Sequence, residues 1–163
     1  MEEYKIPAAT RIGHVHLKVS DLQRSLDFYC GLLGFELVMM YGGQAAFISA
    51  GGYHHHIGLN TWHSKGQPPA PPTAPGLYHT AILFAERKEL AVALQRLIDA
   101  KYPITGASDH GVSEAIYMDD PDGNGVELYW DRPRDQWPLD GEGNLTMFTK
   151  HLDLHGLLAL AAK

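Results

Sequence analysis

Two histidines and one glutamate occupy matched places in this sequence. His14 lies in RIGHVHL, His79 in GLYHTAI and Glu127 in GVELYW. Each sits in a stretch rich in apolar residues, which signals partial burial. A buried carboxylate is costly unless it is paired or bound to a metal. Two neutral imidazoles and one carboxylate suit non-haem iron(II), and they leave coordination positions free for substrate and oxygen. Manganese, zinc or nickel fit the same ligands. Any one of these residues alone reads as an ordinary structural side chain. Their joint placement in a duplicated sequence carries the metal reading.

The elements that must position them follow from periodicity. Arg11–Ser20 alternates with period two, so it reads as a strand with His14, His16 and Lys18 on one face. His16 is therefore a pocket-lining residue or a substitute ligand. Ser20 or Asp21 can cap a helix over Leu22–Leu33, whose stripe is Leu22, Leu26, Tyr29 and Leu33, and Gly34 stops it. Phe35–Tyr41, Gln44–Ala50 and His54–Trp62 read as strands separated by Gly-Gly turns. Alternation along the last of these places His54 and His56 on the face opposite His55.

Residues 63–76 carry Pro68, Pro69, Pro71, Pro72 and Pro75, which makes them an extended linker. The order then repeats. Leu77–Ala85 is a strand, and Arg87–Lys101 a helix with Leu90, Leu94, Leu97 and Ile98 on one side. Ile104–Ala107, Ser113–Met118 and Val126–Asp131 are strands, the last two joined by an Asp-, Pro- and Gly-rich turn. GHVHL aligns with YHTAI, and GLNTW with VELYW. The chain thus divides into a βαβββ unit over residues 11–62, the linker over 63–76 and a second βαβββ unit over 77–131. An extension over 132–163 carries a short helix within Leu152–Ala162, and all four parts form one domain.

Composition removes several classes of function. Of the 163 residues 45 % are hydrophobic and 20 % charged, an ordinary globular balance. The net charge is -6 and no basic block occurs, which argues against a nucleic-acid partner. No apolar run reaches the length of a membrane span, and Met1–Thr10 lacks the apolar core of a signal peptide. Cys30 is the single cysteine, so no intrachain disulfide forms, and a reducing cytoplasmic location is expected.

HVHLKVSDLQRSLDFYCGLLGF resembles the opening signature of the vicinal oxygen chelate superfamily, and DPDGNGVELYW resembles a closing one. That superfamily includes glyoxalase I, bleomycin resistance proteins and type I extradiol dioxygenases. The resemblance spans Arg11–Trp137 and is strongest to catechol-2,3-dioxygenases. It implies an α+β fold in which two βαβββ modules form an open, U-shaped mixed barrel around a metal. It implies iron(II) held by His14, His79 and Glu127. His55 matches a histidine that handles protons, His110 one that contacts substrate, and Tyr117 a tyrosine that hydrogen-bonds a substrate oxygen. The implied substrates are a small aromatic diol and O2. Such dioxygenases carry two module pairs where this chain has one, which predicts either a homodimer whose second subunit replaces the missing pair or a chain that keeps the metal site without ring cleavage.

Two other functions fit the same resemblance. A glyoxalase-like isomerase or lyase needs a fourth ligand, a carboxylate from the first half. The segment Leu37–Ala85 contains no Asp or Glu, and Leu59 stands at the place of Glu127 when the tryptophans are aligned. A non-catalytic small-molecule-binding protein needs no metal, and Trp62, Tyr78, Trp130 and Trp137 can line an apolar groove for it.

Overall fold

The computed structural model describes residues 3–162. In the first half, β1 covers Val15–Lys18, with Leu17 buried and His16 and Lys18 exposed, so the alternation expected from sequence is present. The strand is shorter than expected, and His14 precedes it. Asp21 caps the next helix by accepting from the Arg24 backbone N–H at 3.0 Å. α1 is α-helical only over Leu22–Leu26, then widens to a π-helix over Asp27–Leu32. Gly34, at φ +94°, ends it. β2 (Glu36–Tyr41), β3 (Ala45–Ser49) and β4 (Ile57–Asn60) follow. The sheet order is β1-β4-β3-β2, with β1 parallel to β4.

The second half repeats this plan. β5 is His79–Phe84, α2 Arg87–Asp99, β6 Gly106–Asp109, β7 Ser113–Asp119 and β8 Gly125–Asp131. β5 runs parallel to β8 as β1 does to β4. The extension adds β9 (Lys150–His151), which pairs with β6 and makes a five-stranded sheet in the order β5-β8-β7-β6-β9. α3 (Leu154–Leu158) lies within the stretch expected to be helical. No strand of one sheet pairs with the other among the described residues, so the barrel stays open.

One core joins the halves. Leu90, Leu94 and Leu97 of α2 are fully buried with Tyr29, Ile48 and Leu59 of the first half. Burying each leucine contributes about 1.5–3 kcal/mol over leaving it exposed. Ile98 departs from expectation: it is 43 % exposed, because the buried stripe runs through Ala91 and Ala93 instead. The turn before β8 fastens the halves together. Asp122 accepts from the Ser20 backbone and hydroxyl and from Arg24, and the buried Tyr29 hydroxyl donates to Asp120 at 3.0 Å. From the other side Arg96 donates to the carbonyls of Gly31 and Leu32. Among the described residues no helix is long and apolar enough to cross a membrane.

Candidate metal centre

Parallel pairing of β5 with β8 sets His79 beside Gly125 and Ala81 beside Glu127, while antiparallel pairing of β7 with β8 sets Tyr117 opposite Glu127. Side chains two apart on a strand share a face, so His79 and Glu127 lean together. His79 Nε2 lies 2.9 Å from Glu127 Oε2. The Tyr117 hydroxyl donates to Glu127 Oε1 at 2.9 Å and lies 2.8 Å from His110 Nε2. Four of the residues singled out from sequence thus form one connected train on the open face of the second sheet. Burial, then the hydrogen bond and charge of Glu127, push the Tyr117 phenol well above its ordinary pKa, so it is a neutral donor.

The first half gathers the other histidines. His14 packs its ring 4.4 Å from that of His55. Nδ1 of His54 and Nδ1 of His55 stand 2.7 Å apart, which requires a proton on one and a lone pair on the other. This overturns the expectation that His54 and His55 point to opposite faces. Residues 54–56 precede β4 and form a bend, where alternation does not apply. His56 turns away to the Ser49 hydroxyl at 3.0 Å. Burial, then the imidazoles of His14, His54, His16 and His56, lower the pKa of His55. His16 is lowered by burial and then by His14, and its ring packs against Phe47 and Trp62.

The register also corrects the counterpart of Glu127. His16 pairs with Gly58 as Ala81 pairs with Glu127, so Gly58, not Leu59, holds the equivalent place. Leu59 faces the core. A Cβ on Gly58 would lie 2.9 Å from the His16 ring, which fills the space a carboxylate would need.

The donors of the second half fit a divalent metal in type. His79 and Glu127 offer nitrogen and oxygen donors side by side, and His79 Nδ1 is buried without a partner. Among the described residues no three metal-binding side chains cluster. His14 stands with His55 in the first half, just before β1 and β4. It lines an apolar cavity of about 760 Å3 between the halves, with Ile12, Phe35, Ile82, Leu83 and Val92.

The sequence profile of the Glyoxalase/Bleomycin resistance protein/Dioxygenase superfamily matches residues 11–128. The chain belongs to this superfamily. A catechol-2,3-dioxygenase of Bacillus subtilis (strain 168) is 46 % identical over 149 residues, covering 91 % of this chain and 51 % of that protein. A biphenyl-2,3-diol 1,2-dioxygenase of Rhodococcus globerulus is 35 % identical, covering 76 % of this chain and 64 % of its own. The chain therefore spans about half the length of the first relative and under two thirds of the second. In fold it matches a glyoxalase/dioxygenase from Nostoc punctiforme, with a TM-score of 0.65 and 21 % identity over 82 % of this chain and 99 % of that one. It also matches a lactoylglutathione lyase from Agrobacterium tumefaciens, with a TM-score of 0.59 and 24 % identity over 77 % and 96 %. The superfamily's paired βαβββ modules and open barrel are the architecture described above.

Sequence reasoning passed over the residues that hold His110. Its Nδ1 lies 3.2 Å from the Phe148 carbonyl and 3.3 Å from the Thr149 hydroxyl, both in the irregular extension. It also passed over the buried Glu114, which Arg87 and Arg132 both reach. An isolated glutamate in an apolar strand was the available signal.

Proposed function

We propose that this protein is an extradiol-type, metal-dependent dioxygenase that opens the ring of a small aromatic diol with O2. The connected train His79–Glu127–Tyr117–His110 carries the reading. The names of the two dioxygenase relatives support it. His79 and Glu127 would hold iron(II), with His14 as third ligand. Such an ion supplies a Lewis acid for the diol oxygens and a redox centre for O2. Tyr117 keeps its proton at neutral pH and offers it to an oxygen beside Glu127. His110 behind it accepts or returns a proton. His55, neutral because of its lowered pKa, is a base toward the substrate hydroxyl once the sheets face one another.

Because His14 belongs to the first half and Glu127 to the second, the proposal includes a homodimer in which the first half of one copy faces the second half of the other. Two measurements test this. Anaerobic reconstitution with iron(II), then catechol in air, should give a yellow ring-opened product and about one metal per chain. Mixing His14→Ala with Glu127→Ala chains should restore about a quarter to a half of the activity, since one shared site of the mixed dimer is intact. Failure of the mixture while wild type is active would place all three ligands in one chain.

A second reading is a metal-free small-molecule-binding protein, favoured by the large apolar cavity beside His14. Wild-type protein that retains no iron, manganese, zinc or nickel would replace the first reading with this one.

A further inference from the structure

β5 and β8 come close where their pairing begins. His79 stands opposite Gly125, and a Cβ built on Gly125 would strike the Tyr78 carbonyl oxygen. It would also lie 3.1 Å from His79 Cβ and 3.2 Å from His79 Cα. Two of these three atoms belong to backbone, so they cannot swing aside as the end of a long side chain can. The glycine answers a need for space and not for an unusual backbone. Gly125 has no positive φ, whereas Gly123, two residues earlier in the turn, stands at φ +80°. A glycine inside a strand marks such a close approach of another backbone.

Gly125 also lies on the face that carries the site. Residues two apart on a strand share a face, so a side chain there would stand on the same side as Glu127. The His79 imidazole leans from its place opposite Gly125 to Glu127, with Nε2 2.9 Å from Oε2. It uses the room that the missing side chain leaves. The first half pairs a histidine with a glycine as well, one repeat of the pleat further on, at His16 and Gly58. By the same register His14 stands at the place of His79 and His56 at that of Gly125, and a glycine, Gly13, precedes His14 instead. A Cβ on Gly13 would meet nothing nearer than the Tyr53 hydroxyl at 3.5 Å, an ordinary contact. Of the two glycines beside these histidines, only Gly125 is a condition for where its histidine stands.

We propose that Gly125 is the positioning residue of the second half's site: a strand left bare there lets the Tyr78–His79 backbone close onto β8 and sets the His79 imidazole against Glu127. Gly125 touches no reacting group; it acts through His79. A methyl group at this place pushes the start of β5 outward. Metal donors tolerate errors of only about 0.2 Å in distance, so a small displacement is enough to spoil the pair.

The test starts with NMR of the metal-free full chain, which does not depend on the metal reading. Wild type should show a nuclear Overhauser contact between the α-protons of Gly125 and the β-protons of His79. Gly125→Ala should move the ring 15N shifts of His79 and the carboxyl 13C shift of Glu127. Gly13→Ala should leave both in place, and so should Gln95→Gly, which weakens the helix α2. The double variant Tyr78→Gly, Gly125→Ala repeats the first half's order, with glycine before the histidine, and frees the carbonyl to turn. It should recover most of the wild-type shifts. A folded Gly125→Ala chain with wild-type shifts would overturn the proposal, and so would a wild type without the proton contact. Where Gly125→Ala does not fold, the double variant decides: if it does no better than the single one, the proposal is overturned. The second measurement rests on the metal reading. Gly125→Ala should weaken iron(II) binding about 10–100-fold while Gln95→Gly leaves it unchanged. Undiminished binding by a folded Gly125→Ala chain would count against Gly125, whereas a wild type that holds no metal would end the metal reading and leave the NMR result standing.

Discussion

The two halves share one topology and differ at one pair of positions. On the first sheet the inner pair is His16 beside Gly58, and on the second it is Ala81 beside Glu127. The bulky and the small residue have exchanged strands. In the first half the imidazole occupies the space over the glycine; in the second the alanine leaves room for a carboxylate. The scaffold is therefore duplicated while the carboxylate is not. The halves also differ in closure. β9 closes the edge of the second sheet and the Phe148–Thr149 segment meets His110 beside it, whereas β2 at the rim of the first is exposed along its whole length despite the sequence ELVMMY. A repeated fold specifies where a site can form, and single side-chain volumes decide which copy forms it.

Breaking the second half's side of this comparison should have the largest effect. Glu127→Ala removes the shared acceptor of His79 and Tyr117. Metal retention should vanish and activity fall by at least about a thousandfold, while the circular dichroism spectrum stays that of a folded chain. A folded variant that still carries stoichiometric metal would sink the ligand assignment.

The first half offers a sharper but smaller test. Gly58→Ala should cost about 1–3 kcal/mol in chemical denaturation, because the new methyl meets the His16 ring. Adding His16→Ala should recover most of that loss. Additive losses in the double variant would mean that His16 does not fill the carboxylate's place. The combined His16→Ala, Gly58→Glu chain carries the second half's pair in the first half, and its metal content measures how far volume alone separates them.

The smallest expected effect is on pH. His16 and His55 have lowered pKa values in the folded chain, so folding disfavours their protonation. Their contribution to stability is full above the ordinary histidine pKa of about 6.5 and is lost as pH falls below it. Hydrogen exchange should therefore show the first half loosening before the second between about pH 6.5 and 5. Equal loosening of both halves would break the contrast between a histidine cluster and a hydrogen-bonded train.

Much of the second half's site was legible in the sequence. Glu127 stood out because a carboxylate among apolar strand residues needs a partner, and Tyr117 is its direct neighbour across an antiparallel pair. The π-helical widening of α1 was not legible, since DFYCGL carries the same apolar stripe as an α-helix. Neither was the Phe148 contact with His110: the two lie 38 residues apart, and Phe148 sits in a stretch without periodicity. Asp122 was readable as a turn residue, but its role as the clip on Ser20 and Arg24 depends on a contact across 102 residues.

Local chemistry in the chain was enough to determine the duplicated βαβββ order, the linker of prolines and the kinds of donor available. Those follow from spacing, backbone restriction and side-chain type, which are properties of neighbours in sequence. Register, facing and closure were decided by the tertiary structure. A shift of one residue in pairing exchanges Gly58 for Leu59 and turns the open face into the core, and that choice is made by packing against distant helices rather than by anything adjacent in the chain.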